Sequence, residues 1–230
     1  MKKIVLKNET IKAVFLENGD LYELSSGEIM INQLSGNSFD GSLNQIYLRI
    51  YTDNHYKVIP LIGSNSDSSF VSDNNQLFWI GNYEGVKYQV SFSLRDNLWF
   101  WTVDIEGDKQ TIDLIYGQDI GLALRNTVKS NEAYTSQYID NKILTDDGNY
   151  IIISRQNQPQ SDKFPAIEQG SLNDLDSFST DGYQFFGKQY KIDNEPKALQ
   201  QRQLDNEVYQ YEFTYSGLKT KKIILNRKIP

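Results

Sequence analysis

Apolar and polar residues alternate with a period of two along most of this chain, the pattern of strands with one buried and one wet face. Val86-Lys87-Tyr88-Gln89-Val90-Ser91-Phe92-Ser93-Leu94 keeps it over 86–94. Residues 207–215 repeat it, with Tyr209, Tyr211, Phe213 and Tyr215 on one face and Gln210, Glu212 and Thr214 on the other. Segments 11–16 and 21–24 flank Asn18-Gly19, which predicts a hairpin with a two-residue type I′ turn. Further strands are predicted at 46–51, 77–80, 98–105, 111–116, 150–154 and 222–225. Leu98-Trp99-Phe100-Trp101-Thr102-Val103 is apolar on both faces, which predicts a central strand between two layers. Turn clusters fall between strands at 63–67, 73–75, 107–108 and 147–149.

Helical signals are few. Asn194-Glu195-Pro196-Lys197-Ala198-Leu199 offers a cap and a proline near a first turn, enough for one or two turns. The apolar residues of 131–142 fit neither period, and 62–76 reads as a long mobile loop. No repeat, low-complexity linker or composition break divides the chain, so one domain over 1–230 is expected. Its fold class is all-β: antiparallel sheets packed face to face as a β-sandwich, with few short helical turns.

Composition agrees. Aromatics make up 13%, with Tyr 15 and Phe 11, which suits a tyrosine-rich β protein better than a helical bundle. A chain of 230 residues should bury roughly 70% of its unfolded surface without staples. The net charge of −7 is spread along the chain, so it favours solubility and argues against a nucleic-acid partner. There is no cysteine, which fits a reducing compartment, and a cytoplasmic location is expected. The opening Met1-Lys2-Lys3-Ile4-Val5-Leu6-Lys7-Asn8 is too short in apolar residues for a secretory signal, and no segment has the length of a membrane span.

The single histidine narrows the chemistry. A zinc site of His and Cys, or a Ser-His-Asp triad, would need His55, which stands in the turn-like Thr52-Asp53-Asn54-His55-Tyr56. Nucleotide-loop and EF-hand strings are absent, and Asp146-Asp147-Gly148 reads as a hairpin turn. No cofactor, no metal site and no catalytic residue are expected. Trp79, Trp99 and Trp101 read as core. For Tyr134, Tyr138 and Tyr183, stacking on a ligand and packing stand open. Arg125 and Arg155 are candidates for bidentate pairs with Asp119, Glu132, Asp140 or Asp181.

Residues 116–190 are polar and aromatic where a plain core would be aliphatic. They carry Tyr-Gly-Gln-Asp-Ile-Gly (116–121), Ser-Asn-Glu-Ala-Tyr-Thr-Ser-Gln-Tyr-Ile-Asp (130–140), Ser-Arg-Gln-Asn-Gln-Pro-Gln (154–160) and Thr-Asp-Gly-Tyr-Gln-Phe-Phe-Gly (180–187). Amides, carboxylates and flat rings can orient sugar hydroxyls and cover sugar faces, although the same residues also build turns. The candidate carbohydrate-binding or domain-interface set is Asp119, Asn131, Glu132, Tyr134, Gln137, Tyr138, Arg155, Gln156, Asn157, Asp181 and Tyr183.

In order and wording these blocks resemble the amino-terminal β-sandwich domain of glycoside hydrolase family 94, especially the 1,2-β-oligoglucan phosphorylases and relatives of cyclic β-1,2-glucan synthase. The resemblance is densest over 116–199. It implies a supersandwich of the galactose mutarotase-like kind. It also implies a non-catalytic module that touches oligosaccharide, covers an active site or makes subunit contacts. The partners implied are a β-glucan oligosaccharide or a catalytic (α/α)6 barrel domain, with a homodimer as a further option, and no nucleic acid or membrane. The family's catalytic aspartate and phosphate site lie on that barrel, and these 230 residues hold no position onto which they can be carried. Two other readings stay open: a stand-alone carbohydrate-binding protein, and a small mutarotase-like or lyase-like enzyme working with carboxylates and tyrosines.

Overall fold

The computed structural model describes the whole chain except Met1, Asn54, Asn74, Asn75, Asp147, Tyr211, Glu212 and residues 227–230. In chain order its strands are β1 (Lys3–Lys7), β2 (Ile11–Leu16), β3 (Leu21–Ser26), β4 (Ile29–Met30), β5 (Gln45–Tyr51) and β6 (Tyr56–Pro60). There follow β7 (Ser69–Asp73), β8 (Gln76–Tyr83), β9 (Val86–Arg95), β10 (Leu98–Glu106), β11 (Thr111–Asp119) and β12 (Ala123–Leu124). The last six are β13 (Ile139–Asp146), β14 (Asn149–Gln156), β15 (Ala166–Gln169), β16 (Leu175–Asp181), β17 (Thr214–Thr220) and β18 (Ile223–Ile224). Four helices of one turn or little more complete it: α1 (Arg125–Ser130), α2 (Glu132–Ser136), α3 (Gly182–Phe186) and α4 (Tyr190–Asp193). The chain is therefore mostly β, and its described strand pairings are antiparallel. Among the described residues no helix is long and apolar enough to cross a membrane.

The chain gathers into two compact units. The first comprises Met1–Gly27, Ser35–Leu114 and Lys222–Pro230. Within it β1, β2 and β3 form one meander, and β7 to β10 form another in the order β10-β9-β8-β7. Alternation along β2, β8, β9 and β10 turns Phe15, Trp79, Phe92 and Trp101 inward. Phe15 lies 5.1 Å from Phe92 and 5.6 Å from Trp79, and Trp101 lies 4.7 Å from Phe92. Tilted and edge-on rings at such spacings are the favoured aromatic geometry. Trp79 is fully buried, as expected for a core residue.

A charged pair lies inside the same unit. Arg49 of β5 donates Nε and Nη2 hydrogen bonds of 2.7 and 2.8 Å to the two carboxylate oxygens of Asp113 on β11, and both side chains are fully buried. The Tyr51 hydroxyl donates a third bond to Asp113 at 2.6 Å. Such a pair offsets its desolvation only when its hydrogen bonds are made, and here the fork geometry makes them.

The second unit comprises Glu28–Leu34 and Ile115–Lys221. In it β4 pairs with β12, β17 lies between the end of β11 and β16, and β13, β14 and β15 form a three-stranded meander. Ile152, Leu175, Phe178 and Leu218 form its main apolar cluster, with Tyr116, Ile143 and Tyr150 packed against it. Gly117 and Gly217 face each other across β11 and β17. A Cβ on Gly117 would run into the Tyr215 ring, so glycine is what lets this ring lie flat on the strand.

Several sequence expectations need correction. The β2–β3 hairpin is not a two-residue type I′ turn. Gly19 N donates to Leu16 O at 2.9 Å and Leu16 N to Asp20 O at 2.9 Å, giving a three-residue loop. Gly19, at φ +83°, takes its left-handed bulge position. Strand β10 is an edge strand, not a central one; its apolar outer face is half exposed, with Leu98 at 50%. The supposed loop 62–76 contains β7. Residues 207–210 and Phe213 are not in a strand, because the Thr180 hydroxyl bonds Glu207 O and Tyr209 N where a ladder would run. Tyr211 and Glu212 of that pattern lie outside the described residues. Asn194 does not cap a following helix. It ends α4 in the left-handed conformation (φ 59°), and a 3₁₀ turn at Lys197–Gln200 follows Pro196. His55 lies in the exposed β5–β6 turn.

Candidate functional site

All eleven candidate residues belong to the second unit. Their four blocks meet through the main chain around Thr214. Thr214 pairs with Asp181, its carbonyl accepts from Ile120 N at 3.1 Å, and its N–H donates to Ser136 Oγ at 3.0 Å. The block 154–160 joins through Gln156, whose Nε2 donates to Thr135 O at 3.0 Å, and Asn157, whose N–H donates to Tyr138 O at 2.8 Å. Gln33 links the first two blocks. Its backbone N–H donates to Asp119 Oδ2 at 2.9 Å and its Nε2 to Glu132 O at 2.9 Å.

Burial divides the set. Asp119, Gln156 and Asp181 are 1%, 0% and 2% exposed, and each is engaged with main chain. Asp119 accepts from the N–H groups of Gln33 and Leu34, the latter at 2.6 Å. Burial pushes its carboxyl up to about 6, and the hydrogen bonds from Leu34 and Gln33 offset this only in part. Asp181 caps α3 through Gln184 N at 2.8 Å, as a short carboxylate at a helix start does. The Gln-Asp step of 116–121 thus serves the interior, one side chain to each face of β11.

Seven of the set are exposed: Asn131, Glu132, Tyr134, Gln137, Arg155, Asn157 and Tyr183; Tyr138 is half-buried. Asn131 caps α2 by accepting from Tyr134 N at 3.0 Å. The rings of Tyr134 and Tyr138 meet edge to face with centroids 5.1 Å apart. The Gln158 Nε2 donates to the Tyr134 hydroxyl at 3.0 Å, which fixes that ring. A hydrogen bond with Tyr134 raises the Tyr138 hydroxyl above the usual tyrosine range. On β14, Arg155 stands opposite Asp140 in the ladder, and its guanidinium lies over the Phe164 ring at 5.2 Å. Tyr183 sits on α3, in the fourth block. The outer surface at α2 thus offers a held aromatic pair, Tyr134 and Tyr138, with the Gln158 amide bonded to it. That combination suits stacking and hydroxyl recognition. Among the described residues no group of three or more His, Asp or Glu side chains could hold a metal ion.

Sequence reading missed Gln33, Gln158 and Thr214, whose roles depend on partners far along the chain. It also missed the Arg49–Asp113 pair, for which a signal existed: Arg49 is the lone charge of β5, and Asp113 stands among the apolar residues of 112–116.

Residues 14–229 match the family model described as SOGP N-terminal domain. The chain is 34% identical over 215 residues to a protein named 1,2-beta-oligoglucan phosphorylase from Listeria innocua serovar 6a (strain ATCC BAA-680 / CLIP 11262). That match covers 94% of this chain and 20% of the relative, so the chain spans about a fifth of the relative's length and corresponds to its amino-terminal part. With a family model running across both compact units, the chain belongs to the SOGP N-terminal domain family.

Proposed function

We propose that this chain is the non-catalytic amino-terminal module of a β-oligoglucan phosphorylase-like protein of glycoside hydrolase family 94, acting in the cytoplasm. The observation that carries this reading is the match of 94% of the chain to 20% of a 1,2-beta-oligoglucan phosphorylase. One family model over 14–229 supports treating both units as a single domain, and the antiparallel strands are compatible with a supersandwich of the galactose mutarotase-like kind. The module's work is to contact β-glucan oligosaccharide, to cover the mouth of an (α/α)6 barrel, or to join a second copy of the chain. Within the candidate set, Asp119, Gln156 and Asp181 shape the surface, while Tyr134, Tyr138, Arg155, Asn157 and their exposed neighbours meet the ligand or the barrel.

The test has two arms. Purified chain incubated with β-1,2-linked oligoglucan and phosphate should release no glucose 1-phosphate above a heat-killed control; clear release overturns the non-catalytic reading. In the second arm the same oligoglucan is titrated into wild type and a folded Tyr138→Ala/Arg155→Ala variant. Each lost contact should weaken binding by ~1–3 kcal/mol. Equal affinity in both would leave this surface as architecture.

A further inference from the structure

Inside the second unit, beside the apolar cluster of Ile152, Phe178 and Leu218, a buried polar group links β11 and β17 to the end of β15. Gln118 and Ser216 are directly opposed across β11 and β17, so their side chains leave the same face of the sheet. Gln169, at the end of β15, donates from its Nε2 to Gln118 Oε1 at 3.1 Å, and the Tyr116 hydroxyl donates to the same oxygen. Gln118, Ser216 and Gln169 are 0%, 1% and 6% exposed. The two donors on Gln118 Oε1 fix the orientation of that amide, because a flipped amide would set N–H against N–H.

This arrangement leaves three buried polar atoms without a hydrogen-bond partner: Gln118 Nε2, Gln169 Oε1 and Ser216 Oγ. One is a donor, one an acceptor and one is both. Each such group in a dry interior carries the full desolvation cost, and native interiors satisfy nearly all of them. The mixture selects the ligand. A cation can coordinate Gln169 Oε1 and Ser216 Oγ but is repelled by the Gln118 N–H. An anion accepts from Gln118 and is repelled by the Gln169 carbonyl. A neutral molecule that both accepts and donates, and is small enough for a sealed site, meets all three.

We propose that Gln118, Gln169 and Ser216 form a built-in water site, in which one internal water accepts from Gln118 Nε2, donates to Gln169 Oε1 and shares a hydrogen bond with Ser216 Oγ. Internal waters typically make about three such bonds. The water completes a polar joint among β11, β15 and β17. It also gives Gln118 of the Gln-Asp-Ile-Gly block a purpose independent of any sugar, so the proposal stands whether or not the module binds oligoglucan.

A high-resolution crystal structure of the full chain, paired with water-to-protein nuclear Overhauser measurements, tests it. The expected result is one ordered solvent molecule within hydrogen-bonding distance of all three atoms, with cross-peaks from slowly exchanging water to the Gln118 side-chain amide. Direct bonding of Gln118 Nε2 to Ser216 Oγ or Gln169 Oε1, with no solvent between, overturns it. In Gln118→Met, which keeps the length of the side chain but lacks its N–H, the solvent and its cross-peaks should be lost. Retention of a water at full occupancy there would count against the proposal, and the wild-type measurement decides the matter even if this variant does not fold.

Discussion

At the residue scale Asp119 is the group most exposed to a direct test. Its folded carboxyl titrates at about 6 against an ordinary 3.8, chiefly because burial penalises the charged form. A raised acid binds its proton more tightly in the folded state, so its contribution to stability is greatest below about 4. That contribution is lost as pH rises through the folded value, and the cost of the buried charge is complete above about 7. The difference across the window is on the order of 2–3 kcal/mol. Asp20 and Asp205 are raised by burial as well and act with the same sign, so the variant must be compared with wild type. In urea titrations between pH 4 and 8, Asp119→Asn should flatten the slope relative to wild type; an unchanged slope would reject the assignment. The Arg49–Asp113 pair gives a second test. Asp113→Ala strips the buried guanidinium of both carboxylate bonds and should cost ~3–5 kcal/mol, while Arg49→Met with Asp113→Leu should cost much less. The order of these two losses by thermal denaturation decides whether the pair is held by its mutual satisfaction. These charges were legible as oddities in apolar strands. Gln33 was not legible, because nothing local to 28–34 announces that Asp119, 86 residues away, will accept its N–H.

At the element scale, alternation read β8, β9 and β14 well, since each buries mainly one face and follows period two, whereas β13 went unread because the apolar residues of 131–142 fit neither period. It failed where another element supplied the hydrogen bonds. Residues 207–210 have strand-like side chains, yet the Thr180 hydroxyl and the Gln210 amide take up the polar work there. Gln210 is instructive: its Oε1 accepts from Asn141 N at 3.0 Å and its Nε2 donates to Asn141 O at 2.9 Å. A side chain thus imitates a neighbouring strand at the edge of β13, and open edges invite pairing with other chains. Gln210→Ala should leave the fold intact and raise self-association, read by light scattering against concentration. A variant that stays as monodisperse as wild type would show the edge to be guarded by something else. Strand β10 taught the complementary lesson. A run apolar on both faces points to a buried central strand, but β10 is the edge of its sheet: one face packs Trp101 against Phe92 and Trp79, and the other leaves Leu98 half exposed.

At the scale of the whole molecule, the composition gave no sign of two units, because the chain threads between them rather than passing once from one to the other. The first unit takes residues from both ends, and the second borrows Glu28–Leu34 from the amino-terminal third. A fragment ending at Leu114 would lack β18, whose Ile223 and Ile224 pair with Ile112 and Thr111. It would also lack Leu225, which exchanges hydrogen bonds of 2.8 and 2.9 Å with Lys109 and Gln110. The same fragment would keep 28–34 without its partners: Met30 pairs with Ala123, and Ile31 O accepts from Gly121 N at 2.7 Å. The remainder, 115–230, would hold a buried Asp119 stripped of its Gln33 and Leu34 donors. Neither linear piece contains a complete unit, so burial of apolar surface cannot offset chain entropy in either alone. Residues 1–114 and 115–230 expressed separately should therefore show poorly dispersed amide spectra and no cooperative urea transition. Mixing the two should recover part of the native spectrum, because every missing partner is then supplied. A sharp, reversible transition in either fragment by itself would refute this, and with it the treatment of the chain as one indivisible module.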